Sequence, residues 1–144
     1  MKTAVLIARI LLGVIFVVFG LNGFLQFLPQ PDMPQAAIAF FGGLAAGRHM
    51  LPLIFATQLV GGTLLLVGMV PLAVVILTPV IVNIVSFHIF LAPGGLPLAI
   101  VVAALALFLA WTHRAAYRPL FAPIAIPSDV VGMPTESAPA RRRA

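Results

Sequence analysis

Between Arg48 and Arg114 the chain contains no Asp, Glu, Lys or Arg. A water-soluble fold alternates buried and solvated faces along its helices and strands, so a charge-free run of this length cannot be covered with polar surface. The remaining composition agrees. Charged residues make up 8% of the 144 positions, against roughly 25% in an ordinary soluble domain, and the mean hydropathy is +1.21. The chain therefore reads as a protein of the lipid bilayer. With no cysteine and three acidic residues, disulfide and thiolate chemistry is excluded, and almost nothing is left for paired-carboxylate catalysis.

The formal charge of +5 is distributed by position. Lys2 and Arg9 open the chain, Arg114 and Arg118 follow the last apolar run, and Arg141, Arg142 and Arg143 close it. Basic residues beside apolar spans mark the cytoplasmic side, so both termini are expected in the cytoplasm and the number of spans should be even. Nucleic acid is not an expected partner; the bilayer is.

A helix needs about 20 apolar residues to cross the hydrocarbon, and four windows meet or approach this: about 4–28, 50–70, 71–92 and 96–113. The first runs well past the apolar stretch of a signal peptide and has no convincing small-residue cleavage site, so it is read as a retained span. Gly68 and Pro71 break the second window from the third, and Pro93-Gly94-Gly95 with Pro97 breaks the third from the fourth. Between the first two spans, Ala36–Ala46 is charge-free but only about 16 Å long as a helix, suited to an interfacial segment at about 35–47 on the outer side. Pro119, Pro123, Pro127, Pro134 and Pro139 punctuate the end of the chain, which predicts a disordered tail over 119–144 after a membrane domain over 1–118. The predicted fold is all-α, an integral membrane four-helix bundle with a short outer helix and a disordered C-terminal tail.

Polar side chains within spans are functional candidates by default. With the first span running outward, Asn22, Gln26, Gln58, Asn83, Ser86 and His88 all fall in the outer half, and all but Ser86 are ligand candidates. Asn22 and Gln26 share a helix face, as do Asn83 and Ser86, while His88 lies about 140° from Asn83 on an ideal helix and joins the cluster only if Pro79 or fraying of the helix end rotates it. Two readings stay open, a structural hydrogen-bond network and a ligand pocket, and Asn83 is expected inside the bundle rather than facing lipid. On the first span Arg9, Gly13, Phe16 and Gly20 form a separate stripe, with Arg9 expected to reach the cytoplasmic headgroups. On the second, Gln58, Gly61, Gly62 and Leu65 share a packing face. His49 and His88 lie toward one side and His113 toward the other, so no metal site is expected.

The order of Arg9-Ile10-Leu11-Leu12-Gly13 with Phe16 and Gly20, Gln58-Leu59-Val60-Gly61-Gly62, Pro79 to Asn83, Phe87-His88, Trp111 and Tyr117-Arg118-Pro119 resembles the DoxX and DoxX-like family of small four-helix bacterial membrane proteins. The resemblance covers roughly residues 5–121. It implies a multi-pass protein of the bacterial inner membrane, linked to quinone-dependent or other membrane redox metabolism, with quinone as the candidate ligand of the outer-half pocket and no firm cofactor. Many relatives carry a carboxylate where Gln58 stands, and a neutral amide does not carry a proton as a carboxylate does. The expected function is that of an accessory redox-associated protein without an identified set of catalytic residues. The alternative is a noncatalytic assembly subunit of a larger respiratory complex, docked to other subunits or to a second copy; a transporter is disfavoured because no repeat is detected.

The topology can be tested directly because the chain has no cysteine. A cysteine introduced at Gln35 should react with a membrane-impermeant maleimide applied from the outer side; labelling only from the cytoplasm would reverse the orientation.

Overall fold

The computed structural model describes residues 1–29 and 32–121. The described residues are all helical apart from turns and connections: α1 (Lys2–Leu25), α2 (Gln35–Ala46), α3 (Met50–Val67), α4 (Val70–Phe90), α5 (Leu96–Thr112) and α6 (Arg114–Tyr117), with 3₁₀ turns at Pro93–Gly95 and Arg118–Phe121. Four segments, Lys2–Leu25, Met50–Val67, Val70–Phe90 and Pro93–Thr112, are long and apolar enough to cross a membrane. Apart from Pro119 to Phe121, the tail expected from position 119 lies outside the described residues.

The turn chemistry sets the boundaries. The first span, expected to run to about residue 28, stops as a helix at Leu25 because Gln26 takes a left-handed conformation with φ 50°. The Asn22 carbonyl accepts the Gln26 N–H at 2.8 Å, and the Asn22 side-chain oxygen accepts the Leu28 N–H at 2.7 Å. A similar closure ends α3, where Gly68 at φ 97° donates to the Leu64 and Leu65 carbonyls. Only a residue without Cβ adopts that conformation cheaply. Pro71 and Pro97 sit at the starts of α4 and α5, where the missing N–H has no helical acceptor to lose. Pro79 lies within α4 and takes away the N–H that would have bonded the Val75 carbonyl.

Short connections make successive long helices antiparallel. α1 packs along α3, α3 along α4, α4 along α5, and α5 returns to α1. One end of the molecule therefore carries Lys2, Arg9, Gly68 and His113, and the other Asn22, α2, His88 and the Pro93–Gly95 turn. The core contains Leu12 and Phe16 of α1, Leu65 of α3, Leu77 of α4 and Leu109 of α5, all buried. Large apolar side chains also cover the outer faces, among them Ile7, Val60, Val82 and Leu107. Helices that are apolar on every face suit a hydrocarbon surrounding rather than water.

The α1–α3 seam is built on glycine. A Cβ on Gly62 would lie 2.9 Å from the Gly13 carbonyl oxygen and 2.9 Å from the Val17 backbone nitrogen. One on Gly20 would lie 3.0 Å from both the Phe55 carbonyl oxygen and the Leu59 nitrogen. Such contacts bring two backbones within reach of dispersion along several turns. Because the obstacle at Gly62 is backbone, Gly62→Ala should destabilise the protein by about 1–3 kcal/mol, read by unfolding in detergent. Gly42 of α2 has nothing within 4 Å of its Cβ position, so Gly42→Ala should be stabilising by about 0.5–1 kcal/mol through helix propensity alone.

Candidate functional site

At the Asn22 end the four long helices do not close on each other, and a cavity of about 860 Å³ lies between them and α2. This falls in the range of small-molecule sites, roughly 300–1,000 Å³. Its walls are mainly aromatic and aliphatic: Phe16, Phe19 and Phe24 from α1, Phe40 and Phe41 from α2, Phe55 from α3 and Phe87 from α4. Seven of the eleven phenylalanines in the chain thus face one space. Phe87 holds α2 in place, its ring centroid 5.7 Å from that of Phe40 and 5.2 Å from that of Phe41. Such edge and tilted pairs add to simple burial, and α2 depends on them because Ala37 is its only buried residue.

All five polar residues singled out from the sequence line this cavity, in unequal states. Asn22 is half-buried and uses its side-chain oxygen on the Leu28 N–H; that bond fixes the chain as it leaves α1 and leaves the amide NH₂ for the cavity. Gln26 is exposed at the left-handed end of α1. Gln58 is 8% exposed, the one buried polar side chain among the described residues, and its Oε1 is buried with no hydrogen-bond partner. Asn83, expected inside, lines the cavity yet is exposed, whereas Ser86 on the same face is exposed and not part of the wall.

The angular offset that separated His88 from Asn83 does not keep it out. Residues 79, 80, 83, 84, 87 and 88 of α4 all line the cavity, and on an ideal helix they span an arc of about 180° with Asn83 near one edge and His88 at the other. The site takes in half the circumference of α4, not a narrow stripe. His88 Nδ1 lies 2.9 Å from the Ala92 carbonyl oxygen. A carbonyl only accepts, so Nδ1 carries the proton, and in the neutral ring Nε2 is left as a lone-pair acceptor. Gly95 packs against the imidazole so closely that a Cβ there would meet Cε1 and Nδ1.

No family model, curated protein or solved structure matches the chain. The reading of the site therefore rests on its geometry. Among the described residues, no three His, Asp or Glu side chains converge in a way that could hold a metal ion.

The aromatic wall was not foreseen. Its signals were the Phe40-Phe41 pair in the short outer helix and the phenylalanines near the ends of the first, second and third spans, patterns equally compatible with lipid-facing positions. Replacing Gly95 tests the His88 arrangement. In wild type, the ¹⁵N chemical shifts of the neutral His88 ring should show Nδ1 protonated; in Gly95→Ala the added methyl should displace the ring from Ala92 and abolish that signature.

Proposed function

We propose that the chain is an integral membrane protein of the DoxX-like type, with both termini cytoplasmic and its four long helices bundled in the bilayer, and that the cavity at its outer end binds a lipophilic molecule of the quinone and quinol class. The reading places it as an accessory protein of membrane redox metabolism in a bacterial inner membrane. Aromatic and aliphatic walls accept a ring and an isoprenoid-like tail, and a few polar groups fix the head.

The observation that carries the reading is the unpartnered Oε1 of Gln58 in the cavity wall. A buried carbonyl oxygen without a donor costs about 1–3 kcal/mol, and a turn of the Gln58 amide toward a ligand hydroxyl in the cavity would remove that cost. The site offers both kinds of partner: Gln58 Oε1 and His88 Nε2 are acceptors, while the amide NH₂ groups of Gln58, Asn22 and Asn83 are donors, so the hydroxyls of a quinol and the carbonyls of a quinone can both be met.

Gln58→Leu separates a ligand site from a structural network. In a ligand site the substitution should weaken quinol binding about 2–10-fold, the worth of one hydrogen bond, while raising the unfolding midpoint of the ligand-free protein because an unsatisfied group has gone. In a structural network it should lower that midpoint. Binding should be followed by the absorbance of the ligand, because Trp111 sits at the opposite end of the molecule, 70% exposed. Unchanged quinol affinity in Gln58→Leu and His88→Ala, with the fold intact, would leave the assembly-subunit reading in its place.

A further inference from the structure

A second and smaller recess lies at the other end, about 220 Å³ in volume, lined by Lys2, Val5, Leu6 and Arg9 of α1, Gly68 and Val70 at the α3–α4 turn, and His113 after α5. Three basic side chains from two ends of the chain meet there. Arg9 is only half-exposed and its Nε is buried with no hydrogen-bond partner. Its guanidinium lies against the left-handed glycine of the turn, with Nη1 2.8 Å from where a Gly68 Cβ would be. Nδ1 of His113 donates to the Leu109 carbonyl at 2.9 Å, leaving Nε2 as the free polar atom of the ring. Among the described residues the only carboxylate is Asp32, between α1 and α2 at the opposite end, and it balances none of these charges.

We infer that this recess binds a tetrahedral phosphate anion, held by Arg9 and Lys2. The two Nη groups of Arg9 make no hydrogen bond to the described residues and match phosphate geometry through paired charge-assisted bonds, and the Lys2 ammonium adds a point charge. The recess lies where α3 turns back into α4 and where α5 ends, the level at which spanning helices meet headgroups. Val5 and Leu6 beside it provide an apolar wall of the kind that the glycerol and first acyl carbons of a lipid would touch. The phosphodiester of an anionic phospholipid and free phosphate share this chemistry, and the experiment separates them.

The full chain is purified in mild detergent and its retained lipids are weighed by native mass spectrometry after exposure to phosphatidylglycerol or phosphatidylcholine. Wild type should retain phosphatidylglycerol in preference to phosphatidylcholine, and Arg9→Gln should weaken that retention about tenfold. Arg114, at the same end but exposed and bonded to the Trp111 carbonyl at 3.1 Å, is the control for diffuse attraction, and Arg114→Gln should leave retention unchanged. Displacement of the lipid by inorganic phosphate would identify a free-phosphate site, and its failure to displace would identify a headgroup site. Should Arg9→Gln not fold, Lys2→Gln takes its place and is expected to lower retention several-fold. Retention unaffected by all the recess variants that fold, or lowered equally by Arg114→Gln, would overturn the inference and leave these cations as partners of the carbonyl ends of α3 and α5.

Discussion

The close approach of α1 and α3 governs the rest of the molecule. Gly13, Gly20 and Gly62 let the two backbones come near enough that any added Cβ would meet main-chain atoms of the other helix. In a hydrocarbon surrounding there would be little hydrophobic drive to press helices together, and this dispersion contact would be what holds them. The seam also places Gln58, one turn from Gly61 and Gly62, inside the molecule. Toward the Asn22 end the residues between the helices become large, with Phe55 against Gly23 and edge-on to Phe24 at 5.8 Å between ring centroids. The α1–α3 seam stays close as far as Gly20 and Gly23, and the cavity lies beside it, where Phe16, Phe19, Phe24 and Phe55 form its wall.

The treatment of polar side chains distinguishes scaffold from site. Thr57, Thr78 and Thr112 each return a hydroxyl bond to a carbonyl three or four residues earlier, at 2.7 to 3.0 Å, so each is satisfied within its own helix. Asn22 spends its oxygen on the chain leaving α1. Gln58 is more deeply buried than any of these and has no such local solution. A buried polar group that the fold leaves unmatched is either an energetic loss or an invitation to a partner, and its position in an aromatic-lined cavity favours the second.

Much of the architecture was legible because hydrocarbon imposes length and apolarity, and because Gly68, Pro71, Pro93 and Pro97 punctuate the runs. The face of α3 carrying Gln58, Gly61, Gly62 and Leu65 could be read from spacing alone, and all four are buried. What spacing did not give was radial position. A uniformly apolar helix has no polar side to mark its exterior, so the phenylalanines of the cavity looked like lipid-facing ones, while Asn83, expected between the helices, lines the cavity and is exposed there. Depth along the axis was better determined than direction around it: of the six polar residues expected at one level, all but Ser86 line one cavity, and that cavity spans enough of α4 to admit His88. Arg9 was read as reaching for headgroups, and its contact with the turn at Gly68 was not foreseen.

Gln58 also limits what the cavity can do. An amide oxygen accepts a hydrogen bond from a hydroxyl but does not take its proton, so it can orient a quinol head without ionising it. On the proposed reading, orientation would fall to Gln58, and a proton leaving a ligand hydroxyl would pass to water or to His88 Nε2, since His88 Nδ1 is committed to the Ala92 carbonyl. The two groups are positioned independently, Gln58 on α3 by the glycine seam and His88 on α4 against Gly95 of the Pro93–Gly95 turn.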